Sequence, residues 1–169
     1  CNLSLSDVDG LFCDDNFRLI TGAKGFAAEE HFNIFLENHG ISYAQDTNMY
    51  SKVDHWLGDY RVQVKYPNLR ACDETNWAVK THKSHGSGVG ELYKDDVFDL
   101  LALFIGFEMD EEISKYFPKA VTNDWLFVPM EDLERHHEHK SYLKRVPKIP
   151  KDKYLVNDLD FLKSKIRNN

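Results

Sequence analysis

The spacing of apolar residues changes period several times along the chain, and each change marks an element. Between residues 23 and 38, Phe26, Ala27, Phe32, Phe35 and Leu36 recur at near-helical intervals, and Gly40 comes next, where a left-handed C-terminal cap belongs. A helix is expected there. Residues 41–44 and 53–56 read as short strands, with Leu57-Gly58-Asp59 as the turn after the second. Beyond that turn, Arg61-Val62-Gln63-Val64-Lys65-Tyr66 alternates strictly. Strand side chains alternate faces, so Val62, Val64 and Tyr66 share one face and Arg61, Gln63 and Lys65 the other. Residues 77–81 predict a further strand, and residues 84–90, with three glycines, a flexible loop. Residues 93–99 read as a turn or short helix, 100–107 as a buried strand, 125–129 as a last strand, and 130–140 as a helix. Near the end Leu155, Leu159, Leu162 and Ile166 share one helical face. Asp158 and Asp160 come early and Lys163, Lys165 and Arg167 late, as the helix dipole favours.

Composition adds bounds to this pattern. A chain of 169 residues, 42% hydrophobic and 13% aromatic, is the size of one domain and can bury a core, which excludes a disordered protein. Its longest apolar run, residues 100–107 with Gly106 inside it, is far short of the ~20 residues of a membrane span, so no membrane partner is expected. No basic-then-apolar leader opens the sequence, and the first residue is Cys1, the mark of processing or of a longer polypeptide. Three unclustered cysteines, Cys1, Cys13 and Cys72, argue against a disulfide framework and for a reducing, intracellular setting, cytoplasm or nucleoid.

The net charge of −7 is unevenly spread. Residues 1–139 hold 12 Lys/Arg against 25 Asp/Glu, a balance of −13, while residues 140–169 hold 9 against 3, a balance of +6. The basic end is either a solvated helix or a polyanion-binding tail. An acidic body leaves a phosphate-bearing partner open, because hydrolytic sites gather carboxylates to hold the metal ions that face phosphate.

The chemistry-bearing pattern is Asp54 followed nine residues later by Gln63-x-Lys65, on a strand end and on the polar face of the next strand. Phosphodiester hydrolysis needs a hard cation on oxygen ligands, an activated water and a positive charge near the developing negative one. Asp54 offers a carboxylate, Gln63 an amide oxygen, Val64 a backbone carbonyl and Lys65 an ammonium. Alone, the same spacing also describes a polar face at an exposed sheet edge.

The flanking residues extend the pattern. Lys24-Gly25-x-x-x-Glu29 on the first helix, Val53-Asp54, and Val62-Gln63-Val64-Lys65 together resemble the PD-(D/E)xK nuclease superfamily. Within it they are most like the group I intron-associated endonuclease and resolvase-like branch, in which Gln takes the acidic position of a Q-x-K motif. Residues 93–104, with Asp99 before an apolar strand, and Trp125-Leu126-Phe127-Val128-Pro129 resemble that branch's last strands, so the likeness runs from about Lys24 to Leu133. No Pro precedes Asp54, and the neutral Gln63 removes one negative charge from the site.

The resemblance implies an α/β fold, a mixed central β-sheet flanked by helices, with residues 1–22 as an appendage, 23–140 as the nuclease-like core and 141–169 as a basic extension with a helix. It implies a Mg²⁺-dependent deoxyribonuclease, with Mn²⁺ as an alternative ion. Asp54, Gln63 and the Val64 carbonyl would be its metal ligands, Lys65 its catalytic lysine and Glu29 a helper for metal or water. Without the resemblance, Glu29 and Glu30 read as carboxylates favoured near a helix start. Lys80, Lys83 and His85 in the glycine-rich region, and Lys144 and Arg145 in the basic end, are the candidate DNA contacts. A homo-oligomer is expected by analogy, since cutting both strands needs two sites. The alternative is a nuclease fold kept for DNA binding or protein assembly without cutting.

Other patterns carry less. His136-His137-Glu138-His139 reads as a solvated helical face, since only His136 and His139 would share a side and no partner ligand accompanies them. His82, His85 and Cys72 match zinc spacing poorly. Gly86-x-Gly88-x-Gly90 lacks the strand–turn–helix setting of a dinucleotide loop, and Trp56, Trp77 and Trp125 read as sheet packing.

Overall fold

The structure is a computed structural model that describes residues 17–46, 53–84, 90–92, 97–107 and 120–167. Helix α1 (Phe17–Asn38) begins six residues before the apolar periodicity does and ends where the glycine signal places it. Gly40 takes φ +67°, the Gly40 amide donates to the Glu37 carbonyl at 3.2 Å, and the Ile41 amide donates to the Leu36 carbonyl at 2.9 Å. This two-bond left-handed cap ties off the last carbonyls and brings Ile41 into the core. Because residue 41 is spent on the cap, strand β1 (Ala44–Gln45) starts later than the residues 41–44 expected.

Strands β2 (His55–Leu57) and β3 (Tyr60–Lys65) form a hairpin whose loop is Gly58-Asp59, with Gly58 at φ +64° as a two-residue turn of this hand requires. The chain then leaves the sheet through β4 (Asn76–Ala78), β5 (His82–Ser84) and β6 (Gly90–Leu92), and returns as β7 (Leu100–Phe104), parallel to β3. Strand β8 (Trp125–Pro129) closes the sheet antiparallel to β7, giving the order β1-β2-β3-β7-β8. The fold is therefore α/β with a mixed five-stranded sheet, as expected. Of residues 93–99, positions 93–96 lie outside the described residues.

The apolar run at 100–107 is a strand only as far as Phe104. At Gly106 a Cβ would stand 2.0 Å from the Thr122 carbonyl oxygen, so this close approach of two backbones requires glycine. Helix α1 covers one sheet face. Phe32 packs on His55 and Trp125, Phe35 on Phe127, and His31 stacks on Phe104. The residues between, Leu101, Leu103, Leu126 and Val128, point to the opposite face and are equally buried, in one core with Val79, Leu133, Leu143 and Ile149.

The helix expected over residues 130–140 is absent. A single 3₁₀ turn, Met130–Asp132, gives way at Leu133 to extended backbone, and residues 134–144 fold into a hairpin-like excursion with the His136 amide bonded to the Tyr142 carbonyl. The His136 ring nitrogen Nδ1 accepts from the Glu138 and His139 amides, a local side-chain bond that competes with helix. Downstream, β9 (Lys148–Pro150) pairs with β4, and Leu143, Ile149 and Leu162 of the basic end are buried. Helix α2 (Leu159–Arg167) starts at Asp158, whose carboxylate accepts from the Phe161 amide. No helix among the described residues is long and apolar enough to cross a membrane.

Candidate active site

The site is built where α1 crosses the start of β2. The Asp54 amide donates to the Val62 carbonyl, although the register sets His55 opposite Val62. Two residues thus address one, the arrangement of a β-bulge, which re-aims side chains beside it. The Asp54 carboxylate turns back over β3 and accepts the Val64 amide at 2.8 Å. Amide and carbonyl of one strand residue point to the same edge, so the Val64 carbonyl lies along the edge that Asp54 occupies.

Glu29, on α1, forms a side-chain hydrogen bond with Asp54, and both carboxyl groups feel the charge of Lys65. Burial and the neighbouring Asp54 charge push Glu29 up to about 8, with Lys65 pulling the other way. Asp54 is also raised by burial, against the Val64 amide bond and Lys65, which lower it. Half-buried Glu29 and buried Asp54, in hydrogen-bond contact, resist ionising together, and the upward shift of Glu29 favours the shared proton there. Asp46 adds a further negative charge that bears on Asp54.

Gln63 is only 4% exposed, and its Oε1 has no hydrogen-bond partner among the described residues. A buried carbonyl oxygen left without a donor is costly, and it suits a cation better than a structural role. Asp54, Gln63 and the Val64 carbonyl are hard oxygen donors, the set that Mg²⁺ or Mn²⁺ takes. With Glu29 the site holds two carboxyl groups rather than three, and among the described residues no three His, Cys, Asp or Glu gather as a metal centre.

Of the candidates named from sequence, Glu29, Asp54 and Lys65 are thus within electrostatic reach of one another, and Gln63 alternates with Lys65 on one face of β3. Arg61, on that same face, is instead committed to Asp99 at the start of β7, through Nε at 3.2 Å, Nη2 at 3.1 Å and its own amide at 2.9 Å.

The candidate DNA contacts separate into two groups. Lys80, Lys144 and Arg145 come together because buried Thr81 donates its hydroxyl to the Lys144 and Arg145 carbonyls and its amide to Arg145. Lys144 also pairs with Glu134 at 3.2 Å, which offsets part of its charge. Lys83 lies within β5, and His85 lies outside the described residues. Cys72 is held structurally, its Sγ accepting the Ala78 amide at 3.2 Å and donating to the Asn68 carbonyl. Sequence reasoning missed Asp46, Asn33, His55 and Thr81. Of these only His55 carried a local signal, a titratable residue directly after Asp54.

No family model matches the chain, and no curated protein matches it. Among solved structures, that of a bacterial homing endonuclease, I-Ssp6803I, is similar with a TM-score of 0.56 at 14% identity, covering 88% of this chain and 97% of the other. At that identity the likeness is one of fold.

Proposed function

We propose that this protein is a metal-dependent endonuclease hydrolysing DNA phosphodiester bonds, on the PD-(D/E)xK plan with Gln63-x-Lys65 as its last motif. The observation that carries this reading is the pairing of half-buried Glu29 with buried Asp54 within reach of Lys65. Two carboxyl groups held together away from bulk water cost the fold free energy and point to chemistry. The likeness in fold to a homing endonuclease supports the same reading and favours DNA as the substrate.

Asp54, Gln63 Oε1 and the Val64 carbonyl would hold Mg²⁺ or Mn²⁺, which supplies polarisation of the scissile phosphate and a lowered pKa for a water. Lys65 holds a positive charge where negative charge develops on the phosphoryl group. Glu29, once ionised, orients a water. Lys80, Lys144 and Arg145 grip the phosphate backbone and set its register. Two such sites, one per strand, would require at least a dimer, acting where DNA is found, in cytoplasm or nucleoid.

The neutral Gln63 favours a second reading, a nuclease fold that binds DNA or assembles with other proteins and does not cut. Nicking of supercoiled plasmid in Mg²⁺ and in Mn²⁺, wild type beside Lys65→Ala, separates the two. Nicking by wild type alone supports the enzyme. No nicking, with a DNA mobility shift retained in Ca²⁺, supports the binder.

A further inference from the structure

Glu29 and Asn33 are one turn apart on α1 and therefore face the same neighbour. Opposite them stand two consecutive residues, Asp54 and His55. Glu29 bonds to Asp54, and His55 Nε2 meets Asn33 Oδ1 at 2.5 Å, so helix and strand are joined by two adjacent rungs. The Asn33 amide donates to Gln45 Oε1 at 2.9 Å, which leaves its carbonyl oxygen as the acceptor and fixes the His55 proton on Nε2. Gln45, Asn33 and His55 thereby tie β1, α1 and β2 together.

His55 is an expensive way to make that rung. It is fully buried, against Phe32 at 5.0 Å and Tyr43 at 5.6 Å, and its Nδ1 has no hydrogen-bond partner among the described residues. A phenylalanine would fill an aromatic setting without a bare nitrogen, so packing alone does not account for histidine.

We propose that Asn33 and His55 are positioning residues, a peg that keeps α1 in register on β2 so that Asp54 is held on its divalent cation with Glu29 beside it. This inference rests on the proposed metal site.

The test is a Mn²⁺ titration of the full chain by calorimetry, with melting in EDTA measured alongside, for wild type, His55→Phe, His55→Gln and Asn33→Leu. His55→Phe is expected to melt at or above the wild-type temperature and to bind Mn²⁺ about 10- to 100-fold more weakly, the effect of losing a group that orients a ligand. His55→Gln, which restores an N–H, should recover most of the affinity. Asn33→Leu removes the acceptor from a half-buried helix position and should reproduce the loss if His55→Phe fails to fold. Wild-type Mn²⁺ affinity in whichever of these two variants folds overturns the inference. Absence of Mn²⁺ binding by wild type itself overturns the metal site on which it rests.

Discussion

Both halves of the central sheet place side chains in the core, and they are chemically opposite. Strands β7 and β8 bury Leu100 through Phe104 and Trp125 through Val128 without one polar side chain. The β2–β3 half, from the residue that leads into it, buries Asp54, His55 and Gln63 among Leu57, Val62 and Val64. Each large apolar side chain on the first half contributes roughly 1.5–3 kcal/mol by leaving water, whereas the buried polar groups on the second are at best neutral. One half secures the fold, and the stability it supplies lets the other carry groups that stability alone would not select.

If that division holds, substitutions on the two halves separate activity from stability. Asp54→Ala or Lys65→Ala should lower plasmid nicking by about 1,000-fold or more while circular dichroism stays unchanged. Nicking at the parental rate by either variant would remove it from the site. Phe104→Ala, in the apolar half, should cost about 3–5 kcal/mol in urea unfolding, with activity lost only as the folded fraction falls.

Glu29 makes the stability of the polar half depend on pH. Its folded-state value, raised from 4.5 to about 8, means that the folded protein binds the proton more tightly than the unfolded chain. The stabilisation is full below pH 4.5 and is lost as pH rises through 8. Glu29→Gln should remove this slope and stabilise the metal-free protein above pH 8. The gain should be on the order of 1 kcal/mol, since partial exposure screens the charge, or about 2–4 °C in melting temperature. Melting curves across pH 5 to 9 in EDTA check this, and parallel curves for wild type and variant would contradict it. His55 has the opposite sign. Burial lowers it to about 4, so its contribution is lost as pH falls from 6.5 through 4.

The smallest effect is expected at the basic surface. Cutting the chain after Glu138 would strip Leu143, Ile149 and Leu162 from the core, so the test is the Lys144→Ala, Arg145→Ala double variant. Its DNA affinity should lose about one to two units of salt slope with melting unchanged. An unchanged slope would take this pair off the DNA surface.

Legibility in the sequence divides along a similar line, between local and distant signals. Alternation located β3, the apolar run located β7 and β8, and Gly40 marked the end of α1, because each pattern is local. The likeness to a nuclease family supplied Glu29, Asp54, Gln63 and Lys65 as candidates. Helix propensity misled at residues 130–140, where the His136 side chain takes amides that a helix would need. Pairing of β4 with β9 joins residues about 70 positions apart, and no local pattern in a basic segment announces it. The Asn33–His55 contact spans 22 positions and exists only once α1 lies on β2.

The most direct test of the central claim, that Asp54 holds a cation with Glu29 beside it, is the number of protons released when Mn²⁺ binds. Calorimetry in buffers of different ionisation heat at pH 7 measures it. With Glu29 holding the proton of the pair, wild type should release roughly one proton per ion at pH 7 and Glu29→Gln none. Binding heats that do not vary with buffer, or equal release by the two proteins, would contradict it.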